Sequence, residues 1–487
     1  MSLSKKIKKV HSKFVEQGKQ PEVVDGILND KNLYQHQRDA LSKILEYYKN
    51  PKNKYGLVVL PTGSGKSGII ALSPYILQKE RVLILTPSIY MSRQIHHDLC
   101  FNENETFYEK MGLIKREDVE NWCEDGLRIE KSDQIVNIRM HNLIICNAQK
   151  FGEKSNIDIS KIPKDLFDLV IVDEGHHYPA KTWLSVVEHF NSPILFFTAT
   201  PYNKGKPIFD KNYWIYHKSY EEINKAGIIR NLEFEEFGNI EDENKEIYIQ
   251  ASQKIMEVLN RRKNHQAMIL MRTTEETEEC AWSINTNYMK ILALPYHSDS
   301  KEDNLTKFKN NEIKILVVCG KLLEGFDRKE VSIICILRNI QKESRVLFSQ
   351  FVGRGVRKLS KKDDTTTKVL SHIKFQQKEN FKIMKSFNST QSTLDTYYNS
   401  ISDVDPEVKA IEDSSKNSNK VKKSTMEIDQ GETIKKIGDF IITKERPDYY
   451  SIFKEEDLLV ELSEQEEKDY LDWYQSEDLV EYENWDN

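Results

Sequence analysis

The 487-residue sequence contains no long hydrophobic run. Its wholly apolar stretches, such as Leu57 to Leu60, Leu169 to Val172 and Ile194 to Phe197, span four residues each. A membrane-spanning helix needs ~18, which excludes a helical integral membrane protein. The lysine-rich start (Lys5, Lys6, Lys8, Lys9) has no apolar segment behind it, so no secretory signal and a cytoplasmic location are expected. Cysteine is scarce: Cys100, Cys123, Cys146, Cys280, Cys319 and Cys335, with no Cys-x-x-Cys pair. That argues against a zinc knuckle and a disulfide frame, and the expectation is reduced, mostly buried thiols. No internal repeat of the 20–50-residue kind is present, so solenoids and arrays are set aside.

What the chain does contain is a globular composition. Hydrophobic residues make up 38% and charged residues 30%. That is enough apolar material for more than one core. The net charge of −6 is unevenly placed. From Glu455 to Asn487 there are fourteen acidic residues and one basic residue, Lys468, so the rest of the chain is net positive. A mildly basic body is compatible with a nucleic-acid surface, and equally with an ordinary protein carrying a solvated acidic tail.

Short runs that are apolar at nearly every position recur along the chain. They are Tyr55 to Leu60, Val82 to Leu85, Leu143 to Cys146, Leu169 to Val172 and Ile194 to Phe197, then Ala267 to Met271, Ile315 to Val318 and Val331 to Leu337. Such runs suit parallel strands buried on both faces. Helical spacing appears between them, for example over Arg38 to Tyr48 and Ile249 to Arg261. Alternating strand and helix predicts an α/β chain with two parallel-sheet domains. A polar stretch at Gly238 to Lys245 places a boundary near Ile228 to Asn244. A second polar stretch, between about Ser402 and Gly431, reads as a linker.

Four motifs carry chemistry. Pro61-Thr62-Gly63-Ser64-Gly65-Lys66-Ser67 follows one strand and precedes a helix expected over Ile69 to Leu77. Glycines there let backbone N–H groups face phosphate oxygens, Lys66 can reach the β- and γ-phosphates, and Ser67 can ligate Mg²⁺. Asp173-Glu174-Gly175-His176-His177 ends another strand. Asp173 would hold Mg²⁺ and Glu174 would orient or deprotonate water, with a His/Asp metal site as the alternative. Thr198-Ala199-Thr200-Pro201 could bridge moving parts or simply turn the chain. Gln350-Phe351-Val352-Gly353-Arg354-Gly355-Val356-Arg357 puts two arginines three apart. They suit a clamp on a γ-phosphate, or a plain solvated helix face.

Taken in order, these motifs resemble the superfamily 2 helicases and translocases of DEAD/DEAH-like type. Leu33 to Ala40 looks like the family's adenine-side segment, with Gln37 in the glutamine position. Thr86-Pro87-Ser88 with Gln94, Asn147 to Lys150, and Glu324-Gly325-Phe326-Asp327 are similar to further family segments. The motif combination is similar to motor subunits of type I and III restriction enzymes and also resembles DNA-repair helicases of the RadD and phage UvsW kind. Three positions depart from the pattern: Leu60 replaces a Gly or Ala, Gly175 a usual Ala, and Phe351 a frequent Arg.

The resemblance implies two tandem RecA-like domains, at 31–230 and 231–400. A helical extension (1–30), a linker (401–431) and an acidic C-terminal region (432–487) flank them. It implies ATP and Mg²⁺ as cofactors, bound by Gln37, Thr62, Gly63, Ser64, Gly65, Lys66, Ser67, Gly325 and Asp327, with Ser67 and Asp173 on the metal. It implies Lys66, Asp173, Glu174, Arg354 and Arg357 as catalytic residues. Nucleic acid, DNA before RNA, is the implied partner, with a protein effector as a further one and no membrane. A partner-sensing ATPase switch that does not unwind, and an RNA helicase, are the rival readings. No nuclease signature, Cys-rich finger or duplex-reading module accompanies the motifs.

Overall fold

Strands that are apolar at every position need cover on both faces, and here each is given it. The computed structural model describes residues 21–100, 106–110, 126–129, 138, 141–151, 159–177, 181–203, 206–262, 264–301, 303–320, 326, 328–341, 344–387, 435–437 and 440–442. Residues 1–414 form one compact unit and 415–487 a second.

The first unit holds two sheets. In the first lobe the strands are β1 (Tyr55–Val59), β2 (Val82–Thr86), β3 (Gly126–Ile129), β4 (Leu143–Asn147), β5 (Leu169–Val172), β6 (Ile194–Thr198), the short pair β7 (Tyr202–Asn203) and β8 (Lys206–Pro207), and β9 (Trp214–His217). Its sheet has the order β3-β4-β2-β5-β6-β1-β9, and every neighbouring pair is parallel. The second lobe has β10 (Leu232–Phe237), β11 (Gln266–Leu270), β12 (Ala293–Tyr296), β13 (Ile315–Val318), β14 (Val331–Ile336) and β15 (Thr367–His372). Its order is β10-β15-β14-β11-β13-β12, again all parallel. Within the second unit, β16 (Lys435–Ile437) and β17 (Phe440–Ile442) form an antiparallel hairpin.

The helices that matter below are α1 (Pro21–Asn29), α2 (Gln35–Tyr48), α3 (Lys66–Ile76), α4 (Ile89–Leu99), α5 (Lys181–His189), α6 (Tyr220–Lys225), α7 (Asn244–Arg261), α8 (Thr274–Tyr288), α9 (Asp303–Lys309), α10 (Arg345–Val352) and α11 (Lys378–Phe387). Several start on polar caps. Ser219 with Glu222 opens α6 and Thr273 with Glu276 opens α8, each side chain bonding the other's backbone N–H.

Side chains alternate across each strand and enter two apolar layers. Leu57 and Val59 of β1 join Leu83, Leu85, Ile144 and Phe196 on one face. Val58 joins Ile84, Ile145 and Phe197 on the other. Burying each such side chain contributes about 1.5–3 kcal/mol. The second sheet repeats this, with Ala267 and Ile269 on one face and Met268 and Leu270 on the other. One layer runs from the first lobe into the second through Tyr220, Ile223, Ile229, Leu232 and Val356.

Among the described residues of the two large sheets, five strands carry no all-apolar run. β3, β9, β10 and β12 lie at or beside sheet edges, where one face stays half-exposed, as in the LEFEEF sequence of β10. β15 is interior but polar, and its hydroxyls are bonded. Thr367 Oγ1 donates to Gly355 O at 2.6 Å and Ser371 Oγ to Ile336 O at 2.9 Å. The five described cysteines are buried; Cys123 lies outside the described residues. Among the described residues no helix is long and apolar enough to cross a membrane. Of the expected 1–30 extension, Pro21–Asn29 form α1 and residues 1–20 lie outside the described residues, as do the 401–431 linker and all of the 432–487 region except 435–437 and 440–442.

One glycine shows how tightly the first sheet is covered. A Cβ on Gly56 of β1 would lie 2.6 Å from Tyr48 Oη and 2.4 Å from Ile215 Cδ1. Tyr48 cannot swing away freely, because its hydroxyl donates to Ile194 O at 2.7 Å. Gly56→Ala is therefore expected to cost about 1–3 kcal/mol by overpacking, read as a lower thermal midpoint. The cost should fall in a Tyr48→Ala background. Equal costs in both backgrounds would show that the ring is not the obstacle.

Candidate active site

β5, β6 and β1 are neighbours in the first sheet, and their C-terminal ends carry the three first-lobe motifs. Open parallel sheets bind ligands at that edge. The loop after β1 turns on Gly63 (φ 79°) and Gly65 (φ 87°), backbone angles that a side chain resists. Gly65 then caps α3. The amides of Lys66 and Ser67 fall in the first turn, where a helix offers no acceptor and its dipole favours an anion. The Ser64 hydroxyl is fully buried and has no hydrogen-bond partner among the described residues. Ser67 is exposed at the loop's end.

The first turn of α2 supports this loop. Gln37 Nε2 donates to Gly65 O at 3.0 Å, while Gln37 Oε1 accepts from Tyr34 N at 2.9 Å. His36 Nε2 lies 2.7 Å from Ser64 O. His36 is a contact that sequence reasoning passed over; its adjacency to Gln37 was the available signal. Leu60, the departure at the head of the loop, continues the strand. Its side chain is buried, its N–H donates to Thr198 O at 3.0 Å, and its carbonyl faces Lys66 Nζ at 3.3 Å. Nothing there needs glycine.

Asp173 is buried and accepts from Glu174 N at 2.9 Å. Glu174 is held with φ at 49°, an uncommon angle for a non-glycine residue. Its Oε1 lies 3.9 Å from Lys66 Nζ and its Oε2 3.4 Å from His176 Nδ1. Burial alone would raise this carboxyl. The charge of Lys66 and the His176 and His177 imidazoles outweigh burial and draw it down to about 2. Gly175 follows where an alanine is usual. A Cβ there would sit 3.2 Å from the Phe196 ring and 3.3 Å from Phe209, which accounts for the glycine.

His176 links the motifs. Its Nδ1 is 3.2 Å from Thr198 Oγ1, and its Nε2 is 3.3 Å from Gln350 Nε2 of the second lobe. An amide NH₂ can only donate, so Nε2 is the acceptor and the imidazole proton sits on Nδ1, facing Thr198 and Glu174. With His176 so engaged, and His177 stacked on Trp183 at 5.7 Å, joint metal ligation by the two histidines gains no support. Among the described residues no group of three or more His, Cys, Asp or Glu could hold a metal. Ser67 and Asp173 offer a hydroxyl and a carboxylate, the donor types that could hold Mg²⁺, an ion that commonly takes one or two protein oxygens and completes its shell with phosphate and water.

The second-lobe motif is only partly helical. Sequence spacing put Arg354 and Arg357 on one helix face, but α10 ends at Val352, Gly353–Gly355 form a 3-10 turn, and Arg357 pairs with Ile229 in an isolated bridge. Arg354 is buried, with Nη1 donating to Phe326 O at 2.9 Å. The stem of Arg357 lies against the phosphate loop: a Cβ on Gly63 would be 3.3 Å from Arg357 Cγ and 3.1 Å from Val356 Cγ2. A Cβ on Gly353 would meet Thr62 at 2.8 Å. Phe351 is fully buried in the apolar layer, so no third arginine is available there. Gly325 and Asp327 lie outside the described residues.

The remaining motif residues serve local structure. Thr86 Oγ1 donates to Ser88 O at 3.1 Å, and Ser88 caps α4. Asn147 Oδ1 accepts from Gln149 N at 3.0 Å, which leaves Lys150 half-buried at the turn.

Residues 30–203 match the family described as type III restriction enzyme, res subunit, and residues 250–359 match the helicase conserved C-terminal domain. Together these spans exceed half of the chain. The chain belongs to superfamily 2. Relatives of this superfamily 2 chain include IRC3 of Saccharomyces cerevisiae, whose name marks it as a candidate ATP-dependent helicase. It is 23% identical over 381 residues, covering 68% of this chain and 50% of that protein. The DNA 3'-5' translocase XPB2 of Sulfurisphaera tokodaii is 23% identical over 371 residues, covering 64% of this chain and 76% of that one. A fragment of a candidate HsdR subunit of a type I restriction enzyme from Vibrio vulnificus YJ016 has the same fold. Its TM-score is 0.50 at 16% identity, covering 71% of this chain and 65% of that one.

The Glu174 environment has a pH consequence. Its carboxyl is lower in the folded chain than in the unfolded one, so the stability it contributes is present above the ordinary carboxylate value of ~4.3 and fades as pH falls toward 2. Wild type and Glu174→Gln should therefore differ most near neutral pH, and the difference should shrink through pH 4 to 3. Denaturant midpoints at each pH check this. A gap that stays constant would mean that Glu174 keeps an ordinary carboxyl.

Proposed function

We propose that this chain is an ATP-hydrolysing motor on nucleic acid, with DNA as its track. The observation that carries this reading is that the two halves of the site touch. Lys66, Glu174, His176 and Gln350 form a line across the lobes, and Arg357 backs onto the phosphate loop.

In this reading the loop amides and the α3 N-terminus take the β- and γ-phosphates. Lys66 moves from Leu60 O and Glu174 to the phosphate. Glu174 thereby loses the charge that lowers its carboxyl most, its basicity rises, and it can accept a proton from the attacking water. Mg²⁺ bound by Ser67 and Asp173 would supply charge neutralisation at the phosphates. Arg357 and Arg354 stabilise negative charge as the γ-phosphate leaves. Because they belong to the second lobe, hydrolysis is fast only when the lobes are together, and product release loosens that contact.

The net-positive body suits a phosphate backbone. The segments around Thr86 to Ser88, Asn147 to Lys150 and Gly325 to Asp327 are the proposed backbone contacts. Grip of this kind reads no sequence. DNA is preferred because the relative from Sulfurisphaera tokodaii is named a DNA translocase.

The test is ATP hydrolysis by the full chain, alone and with single-stranded DNA, duplex DNA, forked DNA and RNA. Stimulation by a DNA form is expected, with loss in Glu174→Gln and a fall of roughly a hundredfold or more in kcat for Arg357→Ala. Stimulation by RNA alone would move the track to RNA. Stimulation without translocation would favour a switch serving a separate effector. Hydrolysis indifferent to every nucleic acid would sink the motor reading.

A further inference from the structure

We propose that Arg230, on the segment joining the lobes, is a positioning residue that holds the Arg354–Arg357 segment against the phosphate loop through its pair with Asp363. The proposal rests on the ATPase reading above and deepens it.

Arg230 is fully buried, although it lies on the connection between the first sheet's last strand, ending at His217, and the second sheet's first, starting at Leu232. A buried guanidinium is costly unless its donors are bonded. Here every donor-bearing nitrogen is used. Nε donates to Asp363 Oδ2 at 3.0 Å. Nη2 donates to the same oxygen at 2.9 Å and to Lys329 O at 2.7 Å. Nη1 donates to Val331 O at 2.6 Å and to Gly355 O at 3.2 Å. Two of these acceptors matter most. Gly355 lies between the two arginines, and Asp363 Oδ2 also accepts from Leu359 N at 2.8 Å. Arg357 is thus bracketed by two backbone points, Gly355 and Leu359, both anchored on this one ion pair.

The main chain adds a second tie. Arg230 N donates to Val356 O at 2.7 Å, and Ile229 bridges Arg357. On the first-lobe side the same segment is fastened to α6. Tyr220 Oη donates to Arg230 O, Asn224 Nδ2 donates to Ile229 O at 3.0 Å, and Ile228 N donates to Ile223 O at 3.2 Å. Ile229 also faces the loop, with Cγ2 3.4 Å from a Cβ on Gly63. The connection therefore binds α6, the phosphate loop and the arginine segment together. A lysine could not replace the fork, because an ammonium is a point charge with no planar set of donors.

Two features point to positioning rather than to general stability alone. The bonds converge on the few residues flanking Arg357, and the partner oxygen is shared with the chain just beyond it. Asp363 is itself fixed. Burial opposes its ionisation, but hydrogen bonds from Thr365 and Leu359 and the Arg230 charge hold its carboxyl well below the usual range.

The test uses full-length Asp363→Asn, which keeps the shape and removes the charge, and Arg230→Lys. Thr365→Val is a milder third variant that loosens Asp363 and keeps both charges, should the first two fold poorly. Steady-state hydrolysis should show kcat reduced about tenfold with KM for ATP near wild type. Combining Asp363→Asn with Arg357→Ala should be no slower than Arg357→Ala alone, since both act through one group. Multiplying losses, or a wild-type kcat in the folded variants, would overturn the proposal. Amide hydrogen exchange supplies a readout free of activity. Exchange over residues 353–359 should rise in Asp363→Asn while β1 is unchanged; unaltered exchange there also overturns the proposal. If exchange rises in a chain whose wild type hydrolyses no ATP, the positioning stands and the ATPase reading is what fails.

Discussion

Everything about this chain's chemistry depends on one close approach, that of the loop Thr62–Gly65 to the turn Gly353–Arg357. The contact leaves no room for a Cβ on Gly353, where Thr62 sits, and little on Gly63, where Val356, Arg357 and Ile229 crowd in. Glycine is needed on both sides for different reasons. On the first-lobe side it also frees the positive φ of a phosphate-binding turn. On the second-lobe side it lets one backbone lie directly on another side chain. With those two residues in place, an arginine of one lobe stands beside the phosphate loop of the other without a long reach.

The same contact explains the polar line next to it. Lys66, Glu174, His176 and Gln350 are each buried or half-buried, and each is engaged by its neighbour. Lys66 lies against Glu174 and a backbone carbonyl, so the carboxylate is a weak base. Any anion that attracts Lys66 strengthens it. In the proposed ATPase, basicity at Glu174 would be conditional on phosphate binding, through Coulomb interactions in a poorly hydrated site rather than any added part.

Much of this was legible in the residues. The mostly apolar runs placed the central strands of both sheets, because a strand covered on two faces meets apolar layers on both. Edge strands such as β10 were not legible, because one face meets water and the pattern dissolves into charges. β15 escaped for another reason: its hydroxyls find backbone acceptors that only the folded chain supplies. The phosphate loop, Asp173 and Glu174 were marked by glycine and carboxylate spacing at strand ends. The geometry of Arg354 and Arg357 was not, since Gly353 and Gly355 break the helix that a three-residue spacing suggests. Leu60, Gly175 and Phe351 read as departures in the sequence, and each is explained by what packs around it.

Arg230 had no signal at all. One arginine in a joining segment looks like any surface cation, and its partner Asp363 sits in a lysine-rich loop that reads as solvent-exposed. Only the fold shows that the segment is threaded through the second lobe's apolar layer, where a charge persists because five hydrogen bonds and a carboxylate compensate its desolvation. An apolar residue there would have stabilised the layer at lower desolvation cost. What an apolar residue cannot do is bond the two backbone stretches that flank Arg357, whose stem lies on the Gly63 loop. A buried ion pair at that point therefore has its rationale in geometry: it fixes the second lobe's charge at the distance where the first lobe can use it.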